Sequence, residues 1–298
     1  MTKTTLDAIR AGLDDGIVIP YLGPGVLALA GEGCSLPAVP EELVLRLTAK
    51  TTVPHKIRNN LTAAAQFMEN FKHRKTVVAA MNETFQPSFE PTELHRYLAS
   101  LPALPLLVHA WYDDLPQKAL AGRSNWGIAQ GVSQAEHFGE WVHYFRGDGT
   151  LVPGIPVADY HGEGPVPKRP PEEPSTWSTL LYQPIGSVQP AANYLVSDSD
   201  YVEVLTEIDI QTPIPEIVQN IRVGRNFLFL GCRFNTQIER IFARQIIKRS
   251  SDKHYAVLPG ELSRNEKRFL EEYGIERIDM KLPEFFSALK AGRQANAA

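Results

Sequence analysis

The sequence predicts an α/β fold built on a doubly wound parallel sheet. Three observations carry that expectation. Apolar runs rich in β-branched and aromatic residues recur along the chain, amphipathic helical stretches separate them, and their spacing suits parallel crossovers. The chain has 298 residues, 43% hydrophobic and 21% charged, which is enough apolar material for one large domain with a modest insertion.

Residues 17–22 (IVIPYL) read as a buried strand that runs into a glycine turn. Residues 61–70 and 75–84 read as helices, the first very rich in alanine, and 92–100 as another with Leu94, Tyr97 and Leu98 on one side. Residues 104–110 (LPLLVHA) form a second strand, 180–185 a third and 226–232 (NFLFLGC) a fourth. A long helix at 236–249 turns Ile238, Ile241, Phe242 and Ile246 inward. A strand at 254–258, a helix at 264–273, a strand at 276–280 and a helix at 283–289 complete the chain. This is a Rossmann-like alternation over 1–120 and 180–298. Residues 121–179 break it, with Trp126, Trp141, Trp177 and the proline-rich GEGPVPKRPPEEP, and read as an insertion or small subdomain.

Composition narrows the function. A net charge of −4 argues against a nucleic-acid surface. The cluster Arg240, Arg244, Lys248 and Arg249 has the spacing of a solvated helix face. No apolar run is long enough to span a bilayer, and the N-terminal residues lack the apolar core of a signal peptide. The expected location is therefore the cytoplasm. Cys34 and Cys232, the only cysteines, make neither a zinc site nor a disulfide framework, so no metal is expected.

Four strand ends carry the residues suited to ligand chemistry. Gly23, Pro24 and Gly25 follow the first strand, where glycines let a backbone approach a pyrophosphate, although Pro24 offers no N–H. Such a turn also ends strands for steric reasons alone. Trp111 and Asp113 follow the second strand; the carboxylate suits a ribose hydroxyl or a helix cap. Gly186 and Ser187 follow the third, and Gly231 and Cys232 the fourth.

In their order these segments resemble the bacterial sirtuin-like family. Its members read strand–GAG, a helix with an Ala-Gln pair, a His before LASLP, strand–TTNYDDLLE, strand–LHGS, TEDDY and strand–LGYS. The chain shows YLGPG at 21–25, Ala65-Gln66, His95 with LASLP at 98–102, HAWYDDLPQ at 109–117, QPIGSV at 183–188, VSDSDY at 196–201 and FLGCRF at 229–234. The resemblance implies a nucleotide ligand such as NAD or ADP-ribose, with a protein partner or a homo-oligomer as a further expectation. Its cofactor-binding positions fall on the turn residues just named.

The departures matter as much. Trp111 stands where the family has the Asn that places the nicotinamide ribose, and His109 and Ala110 stand where it has threonines. Ile185 stands where it has the proton-accepting His. Such a base is worth about 10²–10⁴ in rate, or roughly 3–5 kcal/mol. Histidines 109 and 161 are the candidates to replace it. The expected function is thus a nucleotide-binding, non-catalytic pseudoenzyme acting as a sensor or partner-binding component. The alternative is a defence-associated NAD hydrolase with relocated catalytic groups.

Overall fold

The computed structural model describes residues 3–31, 33–136, 139–158, 168–203 and 214–296. Its elements in chain order are α1 (Lys3–Asp14), β1 (Val18–Leu22), a 3-10 turn (Pro24–Leu29), α2 (Pro40–Leu47), α3 (Leu61–Lys72), α4 (Arg74–Phe85), α5 (Glu93–Ala99), β2 (Leu106–His109) and α6 (Leu115–Leu120). There follow β3 (Trp126–Gly131), β4 (Val142–Arg146), β5 (Leu151–Val152), β6 (Ile155–Pro156), β7 (Lys168–Arg169), β8 (Thr179–Gln183), β9 (Gly186–Ser187) and β10 (Asn193–Tyr194). A helical stretch over 198–203 is α7. The chain then runs through α8 (Glu216–Arg222), β11 (Asn226–Leu230), α9 (Gln237–Ile247), β12 (His254–Val257), α10 (Arg264–Glu272), β13 (Ile275–Ile278) and α11 (Leu282–Asn296).

Nine strands form one sheet in the order β13-β12-β11-β1-β2-β8-β3-β4-β5. Neighbours from β13 to β3 are parallel, and β4 and β5 add to the edge antiparallel. Parallel strands are buried on both faces, which is why VIPYL, TLLYQ and NFLFL are almost continuously apolar. Their alternate residues serve opposite faces. Val18, Leu22, Leu228 and Leu230 pack with Ile9, Leu98 and Phe285 of α1, α5 and α11. Ile19, Tyr21, Phe227 and Phe229 pack with Val218, Ile246 and Phe269 of α8, α9 and α10. From β1 the chain moves to one side of the sheet and from β11 to the other, so the reversal of winding falls between these two strands.

A third cluster sits at neither face but at the carboxyl end of the strands. Leu43 and Leu47 of α2, Ala65 and Met68 of α3, and Val77, Met81 and Phe85 of α4 pack there with Leu27, Trp111, Tyr112 and Ile185. The sequence reading did not anticipate α2 or this helical cover.

Residues 121–179 supply β3, which lies inside the main sheet between β8 and β4. The strand WGIAQG is hard to read because Gly127 lacks a side chain. The Trp177 ring covers that position, and an added Cβ would collide with it.

Candidate functional site

The four strand-end turns lie side by side. Leu22 is in register with both Leu230 and His109, and Val108 with Tyr182, so the segments that follow emerge at one carboxyl edge. Hydrogen bonds tie them together. The Ala110 amide donates to Leu22 O at 2.8 Å, and the Val188 amide to Tyr112 O at 2.9 Å. The Ser187 hydroxyl reaches the carbonyls of Tyr112 and Asp113, each at 3.2 Å. The turns that carry Gly23, Asp113, Gly186 and Gly231 thus follow strands that end at one edge of the sheet.

The glycines at this edge press against each other. The Gly23 amide donates to Leu230 O and the Gly25 amide to Gly231 O, both at 2.9 Å, and the Val26 amide turns back to Gly23 O at 3.3 Å. Pro24 has no N–H. Every backbone donor from 23 to 26 is therefore engaged within the protein, and none points at a phosphate. Gly231 adopts φ +66°, and a Cβ on Gly25 would lie 2.9 Å from Gly231 O. Close approach of two loops accounts for these glycines. Beside them, burial pushes the Cys232 thiol well up, with the Glu239 charge adding to it. Its Sγ faces the carbonyls of Tyr21 and Leu230. This is a packed thiol rather than a nucleophile.

Trp111 is buried in the third apolar cluster. Its indole is 4% exposed, and Nε1–H donates to Pro37 O at 2.9 Å. It meets Phe85 edge-on with centroids 6.1 Å apart and lies 5.1 Å from the Tyr112 ring. The Tyr112 hydroxyl in turn donates to Leu195 O at 2.7 Å. Ile185 is buried in the same cluster. Gly186 takes φ +81° where a Cβ would strike the Asn193 backbone, and it pairs with Tyr194 in the β9–β10 ribbon.

At the end of β2 a buried imidazole and a buried carboxylate face each other. His109 Nε2 is 3.2 Å from Asp113 Oδ2, with side chains 0% and 1% exposed. The approach is close but lacks hydrogen-bond alignment. Asp113 Oδ1 accepts the Leu115 amide at 3.1 Å and so caps the start of α6. Burial pushes the Asp113 carboxyl up, but His109, His95 and the Leu115 amide together outweigh it and hold the group below the usual carboxylate range. Burial lowers His95 to about 4, with Asp113 opposing that shift and His109 adding to it. Its Nδ1 lies 2.8 Å from Thr92 Oγ1. His109 therefore faces the interior and a carboxylate. His161 falls outside the described residues.

A cavity of about 30 Å³ is bounded by Tyr21, Val108, Tyr182, Pro184, Leu195 and Phe242; neither Trp111 nor the glycines of the four turns line it. No group of three or more His, Cys, Asp or Glu suited to a metal ion occurs among the described residues. No helix is long and apolar enough to cross a membrane, again among the described residues. The cover residues Leu27, Pro37 and Phe85 were missed from sequence because nothing local marks them; only the amphipathic PEELVLRL of α2 hinted at a buried face there.

Comparison with known proteins bears on this geometry. A family model described as SIR2-like domain matches residues 105–278, the stretch from β2 to β13. A solved structure from work on the mechanism and regulation of Sir2 enzymes is similar over 97% of this chain and 99% of its own, at 14% identity and a TM-score of 0.36. No curated protein matches the chain.

Proposed function

The chain belongs to the SIR2-like domain family, and from that premise we propose that it keeps the family scaffold without its NAD chemistry. In this reading it is a non-hydrolysing member whose nucleotide crevice is filled by its own side chains. Its role is exerted by binding a partner protein, not by turnover. One observation carries the proposal. The residue at the expected Asn position is a buried tryptophan whose indole N–H is bonded to Pro37 O.

The supporting chemistry points the same way. Ile185 cannot accept a proton, and it is 7% exposed within an apolar cluster. His109 is fully buried against Asp113. General-base catalysis needs the base within hydrogen-bond reach of the reacting proton, and neither position offers it to a substrate. The glycine turn has spent its amides on the Gly231 loop. In this reading a nucleotide enters by displacing Trp111 from its contact with Pro37. That cost subtracts directly from its affinity.

The test is nicotinamide release. Purified protein incubated with millimolar NAD is expected to release none above the uncatalysed background, across neutral and mildly acidic pH. Turnover that disappears in the His109→Ala or His161→Ala variant would instead establish a hydrolase with relocated catalytic groups.

A further inference from the structure

A second opening lies at the other edge of the sheet, opposite the carboxyl-edge turns. A cleft of about 620 Å³ opens where the parallel strands begin, bordered by Asp15, Ala103, Arg123, Ser124, Ser178 and Arg225. Its volume lies within the range of small-molecule sites. Two arginines at its wall are held in fixed orientations. Arg123 Nη1 donates to the carbonyls of Ala99 and Leu101, each at 2.8 Å. Arg225 donates from Nε to Gly16 O at 3.0 Å and from Nη1 to Ile221 O.

These anchors bring the two guanidinium groups towards one place. Gly16 leads into β1 and Leu101 precedes β2, and those strands are neighbours. At their entrances the backbones touch, since a Cβ on Gly16 would lie 3.2 Å from Ala103 Cβ. Each guanidinium keeps N–H groups with no acceptor among the described residues: Nε and Nη2 of Arg123, and Nη2 of Arg225. The Ala103 and Leu104 amides likewise have none among the described residues. Both arginines are half-buried. A guanidinium already oriented by carbonyls loses little further freedom when it grips an oxyanion. Asp15, the acid of the cleft, is exposed at the rim, where solvent screens it.

We propose that this amino-edge cleft binds a small molecule through a phosphate or carboxylate group, with Arg123 and Arg225 as the paired anion contacts. The site is separate from the filled crevice and does not depend on the reading of it. Calorimetric titration with pyrophosphate and with citrate tells the phosphate source from the carboxylate one. The expected result is saturable binding of one of them to the wild-type chain. Arg225→Lys keeps the charge but loses the fork, and Ser124→Glu places a carboxylate at the mouth without touching the arginine anchors. Each is expected to weaken that binding tenfold or more, Ser124→Glu with an unchanged melting temperature, while Trp111→Ala leaves it intact. The proposal is overturned if neither anion binds, or if Ser124→Glu binds as the wild type does.

Discussion

Replacing Trp111 with alanine separates a filled crevice from an open one. The indole is 4% exposed and donates to Pro37 O, and Phe85 and Tyr112 pack on its ring. Truncating a buried tryptophan to alanine typically costs about 3–5 kcal/mol, including the cavity left behind. In large domains 1 kcal/mol moves the melting temperature by roughly 2–4 °C, so a drop on the order of 6–20 °C is expected. On the proposed function, the same substitution removes the group that blocks the edge. ADP-ribose at millimolar concentration should therefore raise the melting temperature of the variant by mass action while leaving the wild type unmoved. Differential scanning calorimetry of both proteins, with and without ADP-ribose, reads both effects. A variant that melts within about a degree of the wild type would show that the indole is not packed as described. A ligand shift in the wild type equal to that in the variant would refute the role of Trp111 as the block.

Two further outcomes follow from the same geometry. Burial lowers His95 to about 4, from the ordinary histidine value of about 6.5. Between those values the unfolded chain takes up a proton that the folded chain refuses. Stability is complete above about pH 6.5 and falls as pH drops towards 4, by up to roughly 3 kcal/mol if His95 acts alone. Denaturant titrations at pH 7 and 4.5 should show that slope in the wild type and a shallower one in His95→Gln. Gly231→Ala forces a side chain into φ +66° and against the Val26 amide. A loss of more than about 1 kcal/mol in urea unfolding is expected, and a neutral result would mean that the Gly23 and Gly231 loops are not in contact.

Much of the framework was readable from sequence because its strands are buried on both faces. IVIPYL, LPLLVHA and NFLFLGC announce themselves by continuous apolar character, and the glycines and acids after them mark their carboxyl ends. The convergence of those ends also followed, since parallel crossovers leave little choice of edge. The resemblance put Trp111 and Ile185 where reactive residues are expected, but gave no sign of what packs around them. That packing involves Leu27, Pro37 and Phe85, which come from the 3-10 turn, the loop behind it and α4. Only the fold brings them to the indole. Strand β3 was hidden for a related reason: Gly127 and Gly131 make room for Trp177 and the Pro184 carbonyl, and they erase the alternation that identifies a strand.

The measurement that bears most directly on the filled crevice is equilibrium binding of NAD and ADP-ribose to the wild-type chain by titration calorimetry. The account predicts no saturable heat with either nucleotide up to millimolar concentration. Stoichiometric binding at micromolar affinity would contradict it, because no nucleotide can reach that strength at an edge where Trp111 is still bonded to Pro37.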